Sequence, residues 1–227
     1  MGRVQVFDVN ETLLDLAAMD PHFQRIFGDA GVRVTWFNQM ISSALVATVT
    51  GAYRQFGAHA MAALAMTADQ ASVKLADDDK QAVATQLRQL PAHPEVADAL
   101  RRLHDAGLRL AALTNSTQEV ARAQLAHAGL INLFELVLSA DTVGRLKPAP
   151  EPYRMAAERL GVPADQVRLI AAHAWDVAGA AAAGCATAFV ARPGKVLDPL
   201  VERPEIVGAD LAEIADAILT IDSDGRR

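Results

Sequence analysis

One cysteine, Cys185, is all the chain carries, so neither an intrachain disulfide nor a thiolate metal cluster can form. Cys185 follows an alanine-rich run and reads as a small buried residue in a reducing compartment. Basic residues are outnumbered, 21 Lys and Arg against 27 Asp and Glu, for a formal charge of −6. That balance argues against a nucleic-acid or anionic-membrane footprint. Long apolar runs are missing too: "LVATVT" and "AMAALAM" are too short to cross a bilayer. The N-terminal residues show no apolar signal-peptide core, so a cytoplasmic location is expected. No glycine-rich phosphate loop follows the first apolar run, and G-x-S-x-G and H-E-x-x-H are absent.

What remains is ordinary globular material: 227 residues, 52% of them apolar and 21% charged. That length suits one substantial core with a smaller inserted module. "VQVF" near the N-terminus is a short β-branched and aromatic run of the kind buried on both faces of a parallel sheet. From about residue 16 to 90 the pattern turns helical. "WFNQMISSALVATVTGAYRQFG", "HAMAALAM" and "DDDKQAVATQLRQL" lack strand alternation, and Thr67 with Gln70 reads as a capping box opening a helix. After Pro91, helices and strands alternate. "HPEVADALRRLHDAG" is a helix with Pro94 at its first position and Val96, Leu100 and Leu103 on one face. "STQEVARAQLAHAG" is another, with Ser116 and Glu119 as its capping box. "LRLAAL", "ELVLS", "VRLIAA" and "ATAFVA" are strands; "EPYRMAAERLG" and "WDVAGAAAAG" are helices. A final helix spans roughly 209–219, followed by a frayed "DSDGRR" tail. The alternation predicts an α/β fold: a Rossmann-like parallel sheet with an inserted all-helical cap. The core would comprise residues 1–15 and 91–227, and the cap residues 16–90.

Ligands of open α/β sheets bind at the carboxyl ends of the strands. The residues that follow each predicted strand are therefore the candidates. Asp8 follows the first; Thr114, Asn115 and Ser116 follow "LRLAAL"; Lys147 comes after "ELVLS"; His173 and Asp176 follow "VRLIAA". Parallel strands would gather these at one rim. A carboxylate is a usable nucleophile at neutral pH when a fixed lysine holds it ionised. Hydroxyl, amide and helix-start N–H groups receive developing negative charge, and a second carboxylate prepares water. The other histidines, His22, His59, His93, His104 and His127, read as helix-surface or cap residues.

Four ordered motifs, "FDVNETLLD", "LTNS", Lys147 in "LKPAPEPY" and "HAWD", resemble those of the haloacid dehalogenase superfamily, and within it the type II L-2-haloacid dehalogenases. The resemblance runs from Val4 to about residue 220. It implies that Asp8 displaces halide from C2 of a small 2-haloalkanoate, forming an ester that water then cleaves to a 2-hydroxy acid. It further implies that Thr12 holds the nucleophile loop, Thr114 bonds the substrate carboxylate or nucleophile, and Asn115 contacts the leaving halide. Lys147 would neutralise Asp8, Tyr153 would support that network, and Asp176 would help activate water. Phe56 and Trp175 would be apolar walls of the pocket. No cofactor or metal is expected, and the expected partners are a halogenated carboxylate and a second copy of the chain.

The sequence departs from the family at several places. Phe37 follows Trp36 where the family has a halide-gathering cap arginine, leaving Asn38, Gln39 or Arg54 as candidate donors. Asn10 and Glu11 stand where the family has an aromatic and a glycine, His173 where it has asparagine, and Ala171 where it has serine. His173 is expected at the catalytic rim, bonding a leaving halide or substrate carboxylate or positioning water. Fluoride needs more hydrogen bonding than chloride, so fluoroacetate joins haloacetate and 2-halopropionate as expected substrates. Superfamily phosphatases carry, two residues after the nucleophile, an Asp that protonates the leaving alkoxide. Asn10 has no proton to give in that range, and a halide needs none. A magnesium-dependent phosphatase and a non-catalytic binding protein are the rival readings.

Overall fold

The computed structural model describes residues 2–224. Its six-stranded parallel sheet runs in the order β3-β2-β1-β4-β5-β6. β1 is Val4–Phe7, β2 Leu110–Thr114, β3 Leu136–Ser139, β4 Val167–Ala171, β5 Ala186–Val190 and β6 Ile206–Gly208. Between β1 and β2 come α1 (Asp20–Phe27), α2 (Val32–Thr50), α3 (Phe56–Gln70), α4 (Asp77–Leu87) and α5 (Val96–Asp105). The remaining helices are α6 (Gln118–His127), α7 (Pro150–Leu160), α8 (Ala174–Ala182) and α9 (Leu211–Asp224).

β1 lies at the centre, buried along its whole length, which is why "VQVF" carries no exposed polar alternation. One face of the sheet packs on α5, α6 and α9 through Leu100, Leu103, Leu125, Ile214 and Ile218. The other packs on α7 and α8 through Tyr153, Leu160, Val177 and Ala180. α1–α4 form the inserted helical cap. Its apolar residues Phe23, Trp36, Leu64 and Val83 continue the first of these clusters. Trp36 donates its indole N–H to the Ala60 carbonyl at 2.8 Å, tying α2 to α3. The two connections between core and insert run side by side: Asp15 N–H bonds the Pro91 carbonyl at 2.8 Å and His93 N–H the Leu13 carbonyl at 3.0 Å.

Several elements differ from the sequence expectation. β6 adds a sixth strand of only three residues, Ile-Val-Gly, with Val207 exposed, too short to stand out as an apolar run. Thr67 does not open a helix; it is buried inside α3, because its apolar face continues unbroken from Phe56. The "WFNQ…QFG" stretch is two helices, parted where Gly51 takes a left-handed φ of 71°. α5 starts at Val96 rather than Pro94, with Val96, Leu100 and Leu103 buried together as expected. The cap of α6 is Thr117, whose hydroxyl accepts from Val120 N–H; Ser116 is released for other contacts. α9 continues to Asp224, so the expected frayed tail begins as helix, and its last residues, 225–227, lie outside the described residues. His59 is buried on α3 rather than exposed.

Candidate active site

The central strand delivers Asp8 to the rim, where its N–H is held by the Ile170 carbonyl of β4 at 3.0 Å. Lys147 reaches it from the loop after β3. Its ammonium is fully buried and spends all three hydrogens: on Asp8 Oδ1 at 2.8 Å, Asp176 Oδ2 at 2.6 Å and the Leu113 carbonyl at 3.0 Å. Thr12 donates its hydroxyl to Asp8 Oδ2 at 2.7 Å and accepts from Ala172 N–H at 3.0 Å. Tyr153 donates to Asp176 Oδ1 at 2.5 Å. Burial raises the Asp8 carboxyl, but the Lys147 ammonium and His173 outweigh it and hold the acid well below the carboxylate range. Asp176 goes the other way: burial and the charge of Asp8 push it up despite Lys147.

Thr114 and Asn115 act within the frame. The Thr114 hydroxyl accepts from Ser116 N–H at 3.2 Å. Asn115 is committed at both amide atoms to the Lys147 main chain, accepting its N–H at 2.7 Å and donating to its carbonyl at 3.3 Å. A further restraint is Gly179, where any Cβ would lie 2.5 Å from Pro148 Cβ and 2.6 Å from its carbonyl oxygen. α8 thus presses directly on the segment that carries Lys147.

Asn10 turns away from Asp8. It donates to Ser116 Oγ at 3.4 Å and accepts from Gln124 at 3.0 Å, while Gln124 also bonds the Leu87 carbonyl at 2.6 Å. Beyond it lies a cavity of about 500 Å³ between cap and core, lined by Asn10, Phe37, Met40, Phe56, Ser116 and Gln118 among others. The first turn of α6 forms part of its wall, with Arg88 also at its edge. Asp8 itself is not on the wall and is 5% exposed. None of Asn38, Gln39 and Arg54 lines this cavity: Asn38 and Arg54 are exposed and Gln39 faces a separate surface depression.

His173 sits at the other side of the nucleophile. Its ring is sandwiched between Phe37, centroids 5.5 Å apart, and Trp175, 5.1 Å apart. Nε2 lies 2.8 Å from Glu11 Oε2, and Nδ1 3.4 Å from Asp8 Oδ2 without a hydrogen-bond partner. Burial opposes a charged ring, yet Asp8 and Glu11 together raise its pKa above the ordinary imidazole value. Glu11 also accepts from Lys195 Nζ at 2.6 Å, and its acid is held low by His173 and Lys195 against burial. Its backbone adopts φ 62°, the left-handed region a glycine fills most cheaply. Lys195 stands 5.3 Å over the Phe37 ring. Sequence reading missed Glu11, Lys195, Arg192 and Gln124 as members of this neighbourhood. Lys195 and Arg192 had a usable signal, since "ARPGK" follows β5 at the same rim.

The sequence and fold that build this rim have relatives among known proteins. A model of the haloacid dehalogenase-like hydrolases matches residues 3–184. The chain belongs to that family. It is 27% identical to (S)-2-haloacid dehalogenase 2 of Pseudomonas sp. (strain CBS-3), over 95% of each chain. It is 26% identical to haloacetate dehalogenase H-2 of Moraxella sp. (strain B), over 94% of each. Its fold superposes on the crystal structure of the L-2-haloacid dehalogenase RSc1362 with a TM-score of 0.91 at 27% identity, covering 96% of this chain and 99% of that one.

Some hydrolases of this fold hold a divalent cation between their acids. The donor set here does not suit one: Lys147 takes an oxygen from both Asp8 and Asp176, and Asn10 contributes a neutral amide already engaged elsewhere. Among the described residues, no group of three or more His, Cys, Asp and Glu side chains is arranged to hold a metal.

Proposed function

We propose that this hydrolase dehalogenates small 2-haloalkanoic acids (haloacetates, fluoroacetate among them, and 2-halopropionates) through an ester at Asp8. The observation that carries the reading is the ammonium of Lys147 fixed on Asp8 Oδ1 at 2.8 Å beside a neutral Asn10. A carboxylate held ionised attacks C2, and halide leaves without needing a proton. Thr12 and Lys147 aim Asp8, and Asp176 with Tyr153 aims Lys147. Thr114 and Asn115 hold the rim in place. The substrate carboxylate meets the first turn of α6, whose N–H groups and dipole favour anions, beside Ser116 and Gln118. Phe37 and Phe56 wall the cavity, Trp175 backs His173, and His173 flanks Asp8 from its other side. Asn10 fills the position from which a phosphatase would protonate its leaving group.

In the same reading, residues 16–90 are a cap that closes over the substrate and excludes water, and residues 1–15 and 91–227 are the core. No metal or cofactor takes part, and the enzyme works in the cytoplasm. Among the described residues no helix is long and apolar enough to cross a membrane. α2 exposes Val46 and Val49, a face suited to a homodimer; a monomeric mass at micromolar concentration would remove that part.

The test is a single turnover in ¹⁸O water with chloroacetate, 2-chloropropionate and fluoroacetate. Label is expected in the Asp8 side chain, and Asp8→Asn is expected to abolish halide release while still binding the haloacid. Label confined to the product would sink the covalent mechanism. Phosphate-ester hydrolysis that needs Mg²⁺, with no halide release, would favour the phosphatase instead.

A further inference from the structure

We propose that His173, oriented by Glu11, is the base that takes a proton from the water cleaving the Asp8 ester. This rests on the dehalogenase reading above and concerns only its second half. Nucleophile, imidazole and second carboxylate stand in line: Asp8 Oδ2 is 3.4 Å from Nδ1, and Glu11 Oε2 is 2.8 Å from Nε2. That is the logic of a base beside a nucleophile with a third group fixing its tautomer. Phe37 and Trp175 fix the plane of the ring. Nδ1 is buried and without a hydrogen bond, so it is the nitrogen left for a water. A water lodged on it is within reach of the Asp8 carboxyl carbon, because Nδ1 already approaches an oxygen bonded to that carbon.

Asp176 is poorly placed for the same task. It is completely buried, and Lys147 and Tyr153 occupy one oxygen each. Glu11, by contrast, holds a left-handed backbone conformation and turns its carboxylate onto His173, Lys195 and Arg33.

Protons balance over the cycle. In the free enzyme the ring lies between two carboxylates and carries a proton on each nitrogen. Alkylation removes the charge of Asp8 as the halide departs, so the ring surrenders the Nδ1 proton to solvent. Glu11 keeps the Nε2 proton in place. Glu11 also lines a second cavity of about 310 Å³, with Arg33, His93, Arg192 and Lys195. Water then attacks the ester carbon, giving one proton to Nδ1. The tetrahedral oxyanion collapses, breaking the acyl C–O bond. The departing alkoxide takes the proton back from Nδ1, and the protonated Asp8 returns its own to the ring. The sum is haloacid and water giving hydroxy acid, halide and one proton. The charges that face the ring and its partner are Asp8, Glu11, Lys195, Arg33 and, through Asp8, Lys147.

The experiment is a single turnover of the whole enzyme on 2-chloropropionate, reading chloride release and intact protein mass for wild type, His173→Gln, Glu11→Gln and Glu11→Gly. His173→Gln is expected to release one chloride per enzyme and then accumulate the Asp8 ester, with hydrolysis about 10²–10⁴-fold slower. Both Glu11 variants should slow hydrolysis less and move its acid limb to lower pH, since the ring loses a stabilising carboxylate. Glu11→Gly suits the local backbone, so it decides the matter even where His173→Gln fails to fold. Ester hydrolysis at the wild-type rate, or chloride release lost with no ester formed, overturns the assignment of His173. So does an acid limb unmoved in both Glu11 variants. Wild type releasing no halide from any haloacid overturns the parent reading, and this one with it.

Discussion

Replacing Lys147 by Met removes the cation that two buried carboxylates share. Its ammonium is 2.8 Å from Asp8 and 2.6 Å from Asp176, with side-chain exposures of 0%, 7% and 0% for Lys147, Asp8 and Asp176. Truncating one member of a buried ion pair costs about 3–5 kcal/mol, because an uncompensated charge is left in a poor solvent. Two carboxylates cannot both stay ionised there. Asp176, already pushed up by burial, takes a proton and keeps its contact with Tyr153. The folded variant then binds one proton more than its unfolded chain above pH 5. Its stability therefore rises as pH falls, by about 1.4 kcal/mol per pH unit. In the wild type Asp8 has the opposite sign. The depressed Asp8 contributes stability that is complete above the unfolded carboxylate range and is lost only as pH falls through the folded value. Urea denaturation of both proteins at pH 7.5, 6.5 and 5.5 reads the difference. The gap should be about 3–5 kcal/mol at pH 7.5 and close by about 2–3 kcal/mol over two pH units. Activity should be lost throughout. A gap that is flat with pH, or below about 1 kcal/mol at pH 7.5, would refute the argument that one ammonium neutralises both acids.

Thr12→Val removes the donor to Asp8 and orphans the buried Ala172 N–H. It should cost about 1–3 kcal/mol in chemical denaturation and lower kcat more than it raises KM. Gly179→Ala forces a methyl into the Pro148 backbone. A loss of about 1–3 kcal/mol with a fall in kcat is expected, and an unchanged Tm and rate would mean that α8 does not buttress Lys147. Glu11→Gly and His173→Asn should be non-additive in stability by about 0.5–3 kcal/mol, since each removes the partner of the other; additive losses in a double-mutant cycle would show that the contact carries no energy. Arg192→Met should destabilise by about 1–3 kcal/mol, because its two N–H bonds to the Thr12 carbonyl, 3.0 and 2.7 Å, hold the nucleophile loop from outside.

The rim was legible in the sequence for a simple reason. Strands buried on both faces must be apolar, so the first polar residue after each one marks the carboxyl edge. Asp8, Thr114 and His173 follow from this rule directly, and Lys147 and Asp176 lie a few residues further into the same loops. What escaped lacked that contrast. β6 is three residues long with Val207 exposed, and Gln124 sits mid-helix, where nothing in the sequence distinguishes a buried glutamine from a solvated one. The Ser116 cap was misassigned because Ser116 and Thr117 are both competent caps, and only the turn geometry chooses between them. Glu11 carries no spacing signal that would place it at the rim, since it stands one residue past Asn10. A left-handed φ of 62° accompanies its carboxylate's contact with His173.

The family's cap arginine is missing at Phe37, and its loss does not stand alone. Phe37 stacks on His173; His173 bonds Glu11; Glu11 bonds Lys195; and Lys195 lies over Phe37. Three of these four positions, Phe37, Glu11 and His173, are ones where the chain departs from the dehalogenase pattern. Taken singly, each change is costly. A glutamate in a left-handed turn, 12% exposed, would be a strained and poorly solvated anion. A buried histidine beside Asp8 would be an unanchored ring, and Lys195 without Glu11 would face His173 as a like charge. Together they close into a circuit in which every charge has a partner and the ring has a fixed plane. In the reading proposed above, the positive charge that the resemblance places on the cap would come instead from the core, on a group able to lose its proton once Asp8 is esterified. An arginine cannot do that.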